Sequence, residues 1–206
     1  MEIVFTVLGA YLLGSISFAI VVSRLFALPD PRTFGSKNPG ATNVLRTGKK
    51  AAAVLTLLGD GGKGWLAVFL ASIFVPGAVA YAGLAVFLGH LFPVFHRFSG
   101  GKGVATAAGV LLGLDWRIGL GTLATWAIIL AFFRYSSLAG LIAAGFAAVF
   151  TIVFYGIGVE AACVLAMSLL LVWRHKENIG RLLRGEESRV GAKASAEPPA
   201  PSADEP

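Results

Sequence analysis

GSKNPGATNVLRTGKK, residues Gly35 to Lys50, is a polar island between two apolar runs, and its character dictates what surrounds it. It gathers Ser36, Asn38, Thr42 and Asn43, glycines, Pro39 and the cations Lys37, Arg46, Lys49 and Lys50. With no apolar face to bury, it can be neither a core element nor a bilayer crossing. Glycines let backbone N–H groups crowd together, Ser and Asn add short fixed donors, and Arg46 offers a planar fork suited to phosphate. Two readings fit: an anion site, and a solvated loop whose cations only orient the neighbouring membrane crossings.

The flanks favour a membrane setting. Upstream, Ile3 to Val22 reads as one retained helix, because nothing cationic but the amino terminus precedes it and no small-x-small cleavage site follows. Arg24 and Arg32 lie just beyond, so its C-terminal end is expected in the cytoplasm and the amino terminus outside. Downstream, Ala51 to Phe74 is apolar except for Asp60 and Lys63, and the glycines from Gly59 to Gly64 interrupt helix propensity there. Charges at bilayer depth are expensive and mark paired or functional sites. Asp60 and Lys63 are read as a local pair; the other reading starts the crossing near Asp60, after an interfacial Ala51 to Leu58.

Composition agrees. The 206-residue chain is 56% hydrophobic and 14% charged, outside the make-up of soluble domains, so an integral membrane protein is expected. Its net charge of +6 is spread over short segments beside apolar runs, which suits anionic head groups and anionic substrates rather than nucleic acid. Cys163 is the only cysteine, so an intrachain disulfide and a thiolate metal cluster are excluded. His90, His96 and His175 show no HExxH spacing, and neither a metal nor a cofactor is implied.

Beyond the turn at Pro76 and Gly77, Ala78 to Phe95, Val104 to Leu114 and Ile118 to Phe133 read as crossings. The stretch between Arg134 and Arg174, with Glu160 its only charge, reads as two more, turning at Gly156 to Val159. Val104 to Leu114 spans only about 17 Å against a hydrocarbon core of about 30 Å, and must borrow flanking residues. The expected fold is therefore an all-α, polytopic helix bundle of seven transmembrane helices, with the amino terminus outside and the carboxyl terminus cytoplasmic. That count leaves every Lys and Arg except Lys63 and Arg117 on the cytoplasmic side. Residues 1–185 form the membrane domain; residues 186–206, rich in Ala, Pro, Ser and Glu, are expected as a disordered cytoplasmic tail.

Four polar clusters then fall on one face: residues 35–50, 96–103, 134–137 and 174–181. In the second, Ser99-Gly100-Gly101-Lys102-Gly103 leads straight into a helix, so free amides and the positive dipole end suit phosphate; a flexible turn is the alternative. It is not a Walker A loop, since Gly103 follows Lys102. In the fourth, helical spacing puts Arg174, Asn178 and Arg181 on one stripe beside His175, with a Glu177–Arg181 pair four residues apart.

The motifs GSKNPGATNVLRTGKK, GHLFPVFHRFSGGKGVATAAG and RHKENIGRLL together resemble the bacterial acyl-phosphate:glycerol-3-phosphate acyltransferase family, from about Tyr11 to Gly185. The resemblance implies a seven-helix inner-membrane enzyme with its site at the cytoplasmic face. It would transfer a fatty acyl group from acyl phosphate to the 1-hydroxyl of sn-glycerol 3-phosphate, giving lysophosphatidic acid, the first committed lipid of phospholipid synthesis. By position, Ser36, Arg46, His175 and Asn178 correspond to functional residues, Gly100 to Gly103 to the loop for glycerol 3-phosphate, and Ser137 to a serine at the substrate phosphate. Lys37 stands where the family commonly has Gly.

An acyl phosphate is an already activated mixed anhydride, so positioning and charge stabilisation are expected to carry the chemistry. Lys102, the amides of Gly100, Gly101 and Gly103, and Ser137 are assigned to glycerol 3-phosphate. Arg46 is grouped with them, Ser36, Asn38 and the third motif are assigned to the donor phosphate and the developing oxyanion, and Asn43 is taken as a further substrate-binding residue. The substrate's own phosphate is expected to take the hydroxyl proton. No His is followed by Asp five residues on, so the His–Asp chemistry of acyl-CoA-dependent glycerolipid enzymes is not expected. An apolar groove open to lipid would take the acyl chain, with Gly109 and Gly113 allowing close helix approach. Membrane lipids are the expected surroundings and a monomer the expected state. The alternative function is a small transporter for a phosphorylated metabolite, which would need a polar path across the spans.

Overall fold

A computed structural model describes residues 1–191, and the described residues are helical apart from turns and loops. In chain order the helices are α1 (Glu2–Gly14), α2 (Phe18–Leu25), α3 (Ala41–Leu45), α4 (Lys50–Phe74), α5 (Val79–Leu91), α6 (Val104–Leu114), α7 (Trp116–Phe133), α8 (Ser136–Tyr155), α9 (Val159–Arg174) and α10 (Lys176–Leu183). Five segments are long and apolar enough to cross a membrane: Glu2–Leu25, Lys50–Phe74, Pro76–His96, Trp116–Phe133 and Ser136–Tyr155. Helices α6 and α9 are shorter, at 11 and 16 residues.

The apolar faces point outward. Phe74, Phe132, Val153 and Leu58 are largely exposed, as suits contact with lipid tails, while the interior is rich in alanine. Small residues are needed because the helices nearly touch. A methyl on Gly109 would fall 1.8 Å from Gly61 O, one on Gly64 2.3 Å from Thr106 O, and one on Gly113 2.9 Å from Val68 Cβ, so α4 and α6 meet backbone to backbone. Gly14 and Gly89 do the same for α1 and α5, their added methyls falling 2.1 Å from Val86 O and 2.2 Å from Tyr11 O.

Two local expectations are corrected. The glycines from Gly59 to Gly64 do not interrupt α4, which runs unbroken from Lys50 to Phe74; helix packing outweighs their low propensity. Conversely, the first apolar run is not one helix but breaks at Ser15 to Ser17. Lys63 explains the break: Nζ donates to Gly14 O at 2.9 Å and Ile16 O at 2.7 Å, carbonyls freed where α1 ends. The same ammonium lies 2.9 Å from Asp60 Oδ1, so the expected local pair is present, with both side chains buried.

Candidate active site

In the Gly35–Lys50 loop, Asn43 is the internal clamp. Its Nδ2 donates to Pro31 O at 2.7 Å and Phe34 O at 3.1 Å, and its Oδ1 accepts from the Ser36 amide at 3.0 Å. Asn43 is buried, so its amide shapes the loop from inside. The backbone turns sharply here, with φ of +55° at Gly35 and +54° at Lys37. The reason for a glycine at position 35 is spatial as well, since a methyl would fall 2.4 Å from Asn43 Oδ1. Ser36 and Asn38 are thereby brought to the wall of a polar chamber of about 840 Å³, beside Arg46, whose guanidinium donates to Ser188 Oγ at 2.6 Å.

The glycine loop forms the next wall. Methyls at Gly100 and Gly101 would fall 2.1 Å from His90 O and 2.2 Å from His90 Nε2, so this turn is pressed onto α5. Free amides were expected along this loop, but one of them is taken: Gly101 N–H donates to His90 O at 3.1 Å. Arg174 does not join an anion-facing stripe either. Its guanidinium donates to Gly100 O at 2.7 Å and Gly101 O at 3.2 Å, turning the loop's carbonyls toward itself. Gly103, at φ +86°, then starts α6, whose first-turn amides have no partners within the helix. Lys102, Gly103, Val104 and Ala105 all line the chamber. Burial, reinforced by Arg181 and Arg174, holds the Lys102 ammonium well below the usual lysine range, at about 8.

The third wall comes from the α9–α10 junction and the start of α8. His175 separates α9 from α10 and is buried. Its Nδ1 lies 2.8 Å from Leu171 O, which assigns the proton to Nδ1 and leaves Nε2 as an acceptor. Burial pushes the imidazole down to about 4, so it is neutral at ordinary pH. A neutral ring of this tautomer accepts a hydrogen bond from a hydroxyl; it does not donate to an oxyanion, the part first expected of it. Asn178 bridges the other groups: its Oδ1 accepts from Lys102 Nζ and its Nδ2 donates to Glu187 Oε1 at 2.6 Å.

Glu187 is the residue missed from sequence. Its carboxylate also accepts from Ser137 Oγ at 2.7 Å and pairs with Arg181 Nε at 2.7 Å. The expected Glu177–Arg181 pair is absent among the described residues, Arg181 having taken Glu187 instead. Burial pushes the Glu187 carboxyl up, but the hydrogen bonds from Ser137, Asn178 and Arg181 outweigh it and hold it below its ordinary value. Disorder was expected from residue 186 onward, yet Glu186 to Gly191 line the chamber, and Val190 N–H donates to Arg134 O at 2.7 Å. Residues 192–206 of that expected tail lie outside the described residues.

One chamber thus collects Ser36, Asn38, Asn43, Arg46, Lys102, Gly103, Ser137, His175 and Asn178 from stretches far apart in the chain. Gly100 and Gly101 stand behind it, held by Arg174 and His90. Asp60 and His90 also line it, which no spacing rule suggested, because they come from different helices. Beside it runs a second cavity of about 410 Å³, apolar, between α4, α6, α7, α8 and α9. Leu57, Val104, Ala105 and Trp126 border both, so the polar and apolar spaces adjoin.

Known proteins carry the same arrangement of sequence. A protein from Cupriavidus pinatubonensis described as glycerol-3-phosphate acyltransferase is 63% identical over 192 residues, covering 90% of this chain and 95% of its own. One of the same description from Janthinobacterium is 62% identical over 199 residues, covering 94% and 99%. Among solved structures, the integral membrane glycerol 3-phosphate acyltransferase PlsY in its glycerol 3-phosphate form superposes with a TM-score of 0.88 at 39% identity, over 93% of this chain and 96% of that one. Its lysophosphatidic acid form gives 0.86 at 38% identity, over 92% and 95%. A family model described as glycerol-3-phosphate acyltransferase matches residues 4–185, and with these relatives it establishes that the chain belongs to the glycerol-3-phosphate acyltransferase family.

Proposed function

We propose that this integral membrane enzyme transfers a fatty acyl group from acyl phosphate to the 1-hydroxyl of sn-glycerol 3-phosphate, releasing lysophosphatidic acid and phosphate. The observation that carries the reading is the shared border of the two cavities at Leu57, Val104, Ala105 and Trp126. Acyl transfer to a phosphorylated alcohol needs one space for a lipid tail and one for phosphates, meeting where the carbonyl reacts. Relatives solved with glycerol 3-phosphate and with lysophosphatidic acid support the acceptor and the product.

In this reading Lys102, the first amides of α6 and Ser137 hold the glycerol 3-phosphate. Ser36, Asn38 and Arg46 hold the departing phosphate of the donor. His175 Nε2 accepts a hydrogen bond from the 2-hydroxyl and so orients the glycerol, while the proton of the attacking 1-hydroxyl passes to the substrate's own phosphate as the new ester bond forms and the donor's phosphate leaves. The barrier is lowered by orientation and by charge stabilisation of the leaving phosphate, with no strongly basic side chain required. The chain works as a monomer in a bacterial inner membrane. It crosses seven times, with α6 and α9 completing the bundle, the amino terminus outside and the chamber at the cytoplasmic rim. The asymmetry of Lys and Arg supports that orientation.

The test is to incubate purified protein with glycerol 3-phosphate and either acyl phosphate or acyl-CoA and to measure lysophosphatidic acid. Product from acyl phosphate alone is expected. Product from acyl-CoA alone would overturn the donor assignment, and no product from either would overturn the reaction.

A further inference from the structure

The reaction as described leaves a buried polar cluster unused. Asp60 and Lys63 on α4 and His90 on α5 have side chains 3%, 1% and 6% exposed, at the edge of the polar chamber. Isolated buried charges are costly, and the charge of Lys63 is offset by Asp60 and by the carbonyls of Gly14 and Ile16. His90 is less simply explained. Its Nδ1 lies 3.5 Å from Asp60 Oδ1, the oxygen that Lys63 Nζ meets at 2.9 Å, and has no nearer polar partner among the described residues. Asp60 and His90 both line the chamber.

The other side of His90 meets the glycine loop twice. Its carbonyl receives the Gly101 amide at 3.1 Å, and its Nε2 fills the space where a Gly101 side chain would stand. Lys102 follows directly, and its ammonium is aimed at Asn178 from that turn. The edge of the imidazole, Nε2 and Cε1, lies directly beneath Gly101, so the ring's tilt and the height of the turn are coupled. Asp60 is the group that faces Nδ1, and Asp60 is held in turn by Lys63 against the α1–α2 break.

We infer that His90, oriented by Asp60, is a positioning residue that seats the Gly100–Gly101 turn and so sets where Lys102 meets the acceptor's phosphate. The inference rests on glycerol 3-phosphate being the acceptor. His90 touches the loop rather than the reacting atoms, so its removal acts on acceptor binding and not on the donor. The polar contact toward Asp60 is made from the Nδ1 side of the ring. Asn carries a polar group near the Nδ1 position and Gln near the Nε2 position, so the two substitutions separate the two faces of the ring.

The experiment measures KM for glycerol 3-phosphate and for acyl phosphate in purified His90→Leu, His90→Asn and His90→Gln enzymes, each checked for folding by gel filtration and thermal unfolding. His90→Leu is expected to raise KM for glycerol 3-phosphate about tenfold, the scale of weakening one charge-assisted contact between Lys102 and the phosphate, with KM for acyl phosphate unchanged. His90→Asn is expected to return most of that loss and His90→Gln less. Equal changes in both KM values, a fall in kcat alone, or rescue by Gln as good as by Asn would overturn the inference. Should His90→Leu fail to fold, the Asn and Gln comparison decides by itself. Wild-type protein that makes no lysophosphatidic acid would instead strike at the proposed reaction, so the two failures are distinct.

Discussion

Lys102 Nζ donates to Asn178 Oδ1, joining the glycine loop before α6 to the helix that follows α9. Neither residue is near the other in sequence, and the contact aims a half-buried lysine of the chamber wall across the space assigned to a phosphate. Asn178 accepts with its carbonyl oxygen while its amide nitrogen is taken by Glu187, so the lysine is held without being neutralised by Asn178.

This arrangement fixes a pH dependence. Lys102 titrates at about 8, lowered by burial and by neighbouring cations, so its charged fraction falls as pH rises through that value. A phosphate is held by the charged form, and kcat/KM for glycerol 3-phosphate reports the free enzyme. It is expected to decline above pH 8 toward tenfold per unit, while Lys102→Arg shows no decline there. Lys102→Ala should cost roughly 10- to 100-fold in kcat/KM for glycerol 3-phosphate at pH 7, with KM for acyl phosphate little changed. Initial rates with each substrate varied from pH 6.5 to pH 9.5 check both outcomes; equal losses for the two substrates would contradict the assignment.

His175 leads to the opposite side-chain preference from His90. Its Nδ1 proton is spent on Leu171 O, and Nε2 is the atom offered to the chamber. His175→Gln, which keeps a polar atom near Nε2, is expected to retain more kcat than His175→Asn. His175→Ala, which removes the group that orients the acceptor, is expected to lose about a hundredfold. Measured kcat values for the three purified variants decide it, and Asn outperforming Gln would refute the assigned tautomer.

Much of this site was legible in the sequence because membrane proteins confine polar, glycine-rich loops to functional or interfacial places. Ser36, Lys102, His175 and Asn178 were marked by composition and motif, Ser137 by the family resemblance alone, and all five line one chamber. Two kinds of feature were not legible. Helix continuity at Gly59–Gly64 and its loss at Ser15–Ser17 depend on neighbours: α6 fills the space the glycines leave, and Lys63 compensates the carbonyls that the break exposes. Pairings across helices are the second kind. Asp60 and His90 lie on different helices, and Glu187 lies in a segment whose composition reads as disordered, so no local pattern announces either contact.

The Glu187 contacts predict a docked segment that loosens in acid. The folded carboxyl lies below its ordinary value of 4.5, because the hydrogen bonds from Ser137, Asn178 and Arg181 outweigh burial. A depressed acid stabilises the state that depresses it: the contribution is complete above pH 4.5 and is lost as pH falls below 4.5 toward the lowered value. Hydrogen exchange at the Val190 amide, corrected for its intrinsic rate, is expected to lose protection over that window. Glu187→Gln should show reduced protection already at pH 7, and full protection in that variant would mean the carboxylate does not hold the segment.

Lys37 supplies a test of backbone strain apart from charge. It adopts φ +54°, a left-handed conformation that costs a side-chain-bearing residue roughly 1–2 kcal/mol, at the position where the resemblance has glycine. Its side chain is exposed, and it is absent from the chamber wall that Ser36 and Asn38 help to build. Lys37→Gly relieves the strain and gives back about 0.5–1 kcal/mol to the greater freedom of glycine in the unfolded chain. The variant is therefore expected to be equal to or slightly more stable than the parent, with KM for both substrates unchanged. Lys37→Val, β-branched and ill-suited to positive φ, should lower stability and raise KM for the donor by shifting Ser36. Thermal unfolding and initial rates on the two variants separate the readings. A rise in donor KM in Lys37→Gly alone would show that the ammonium, and not the turn it bends, is what position 37 contributes.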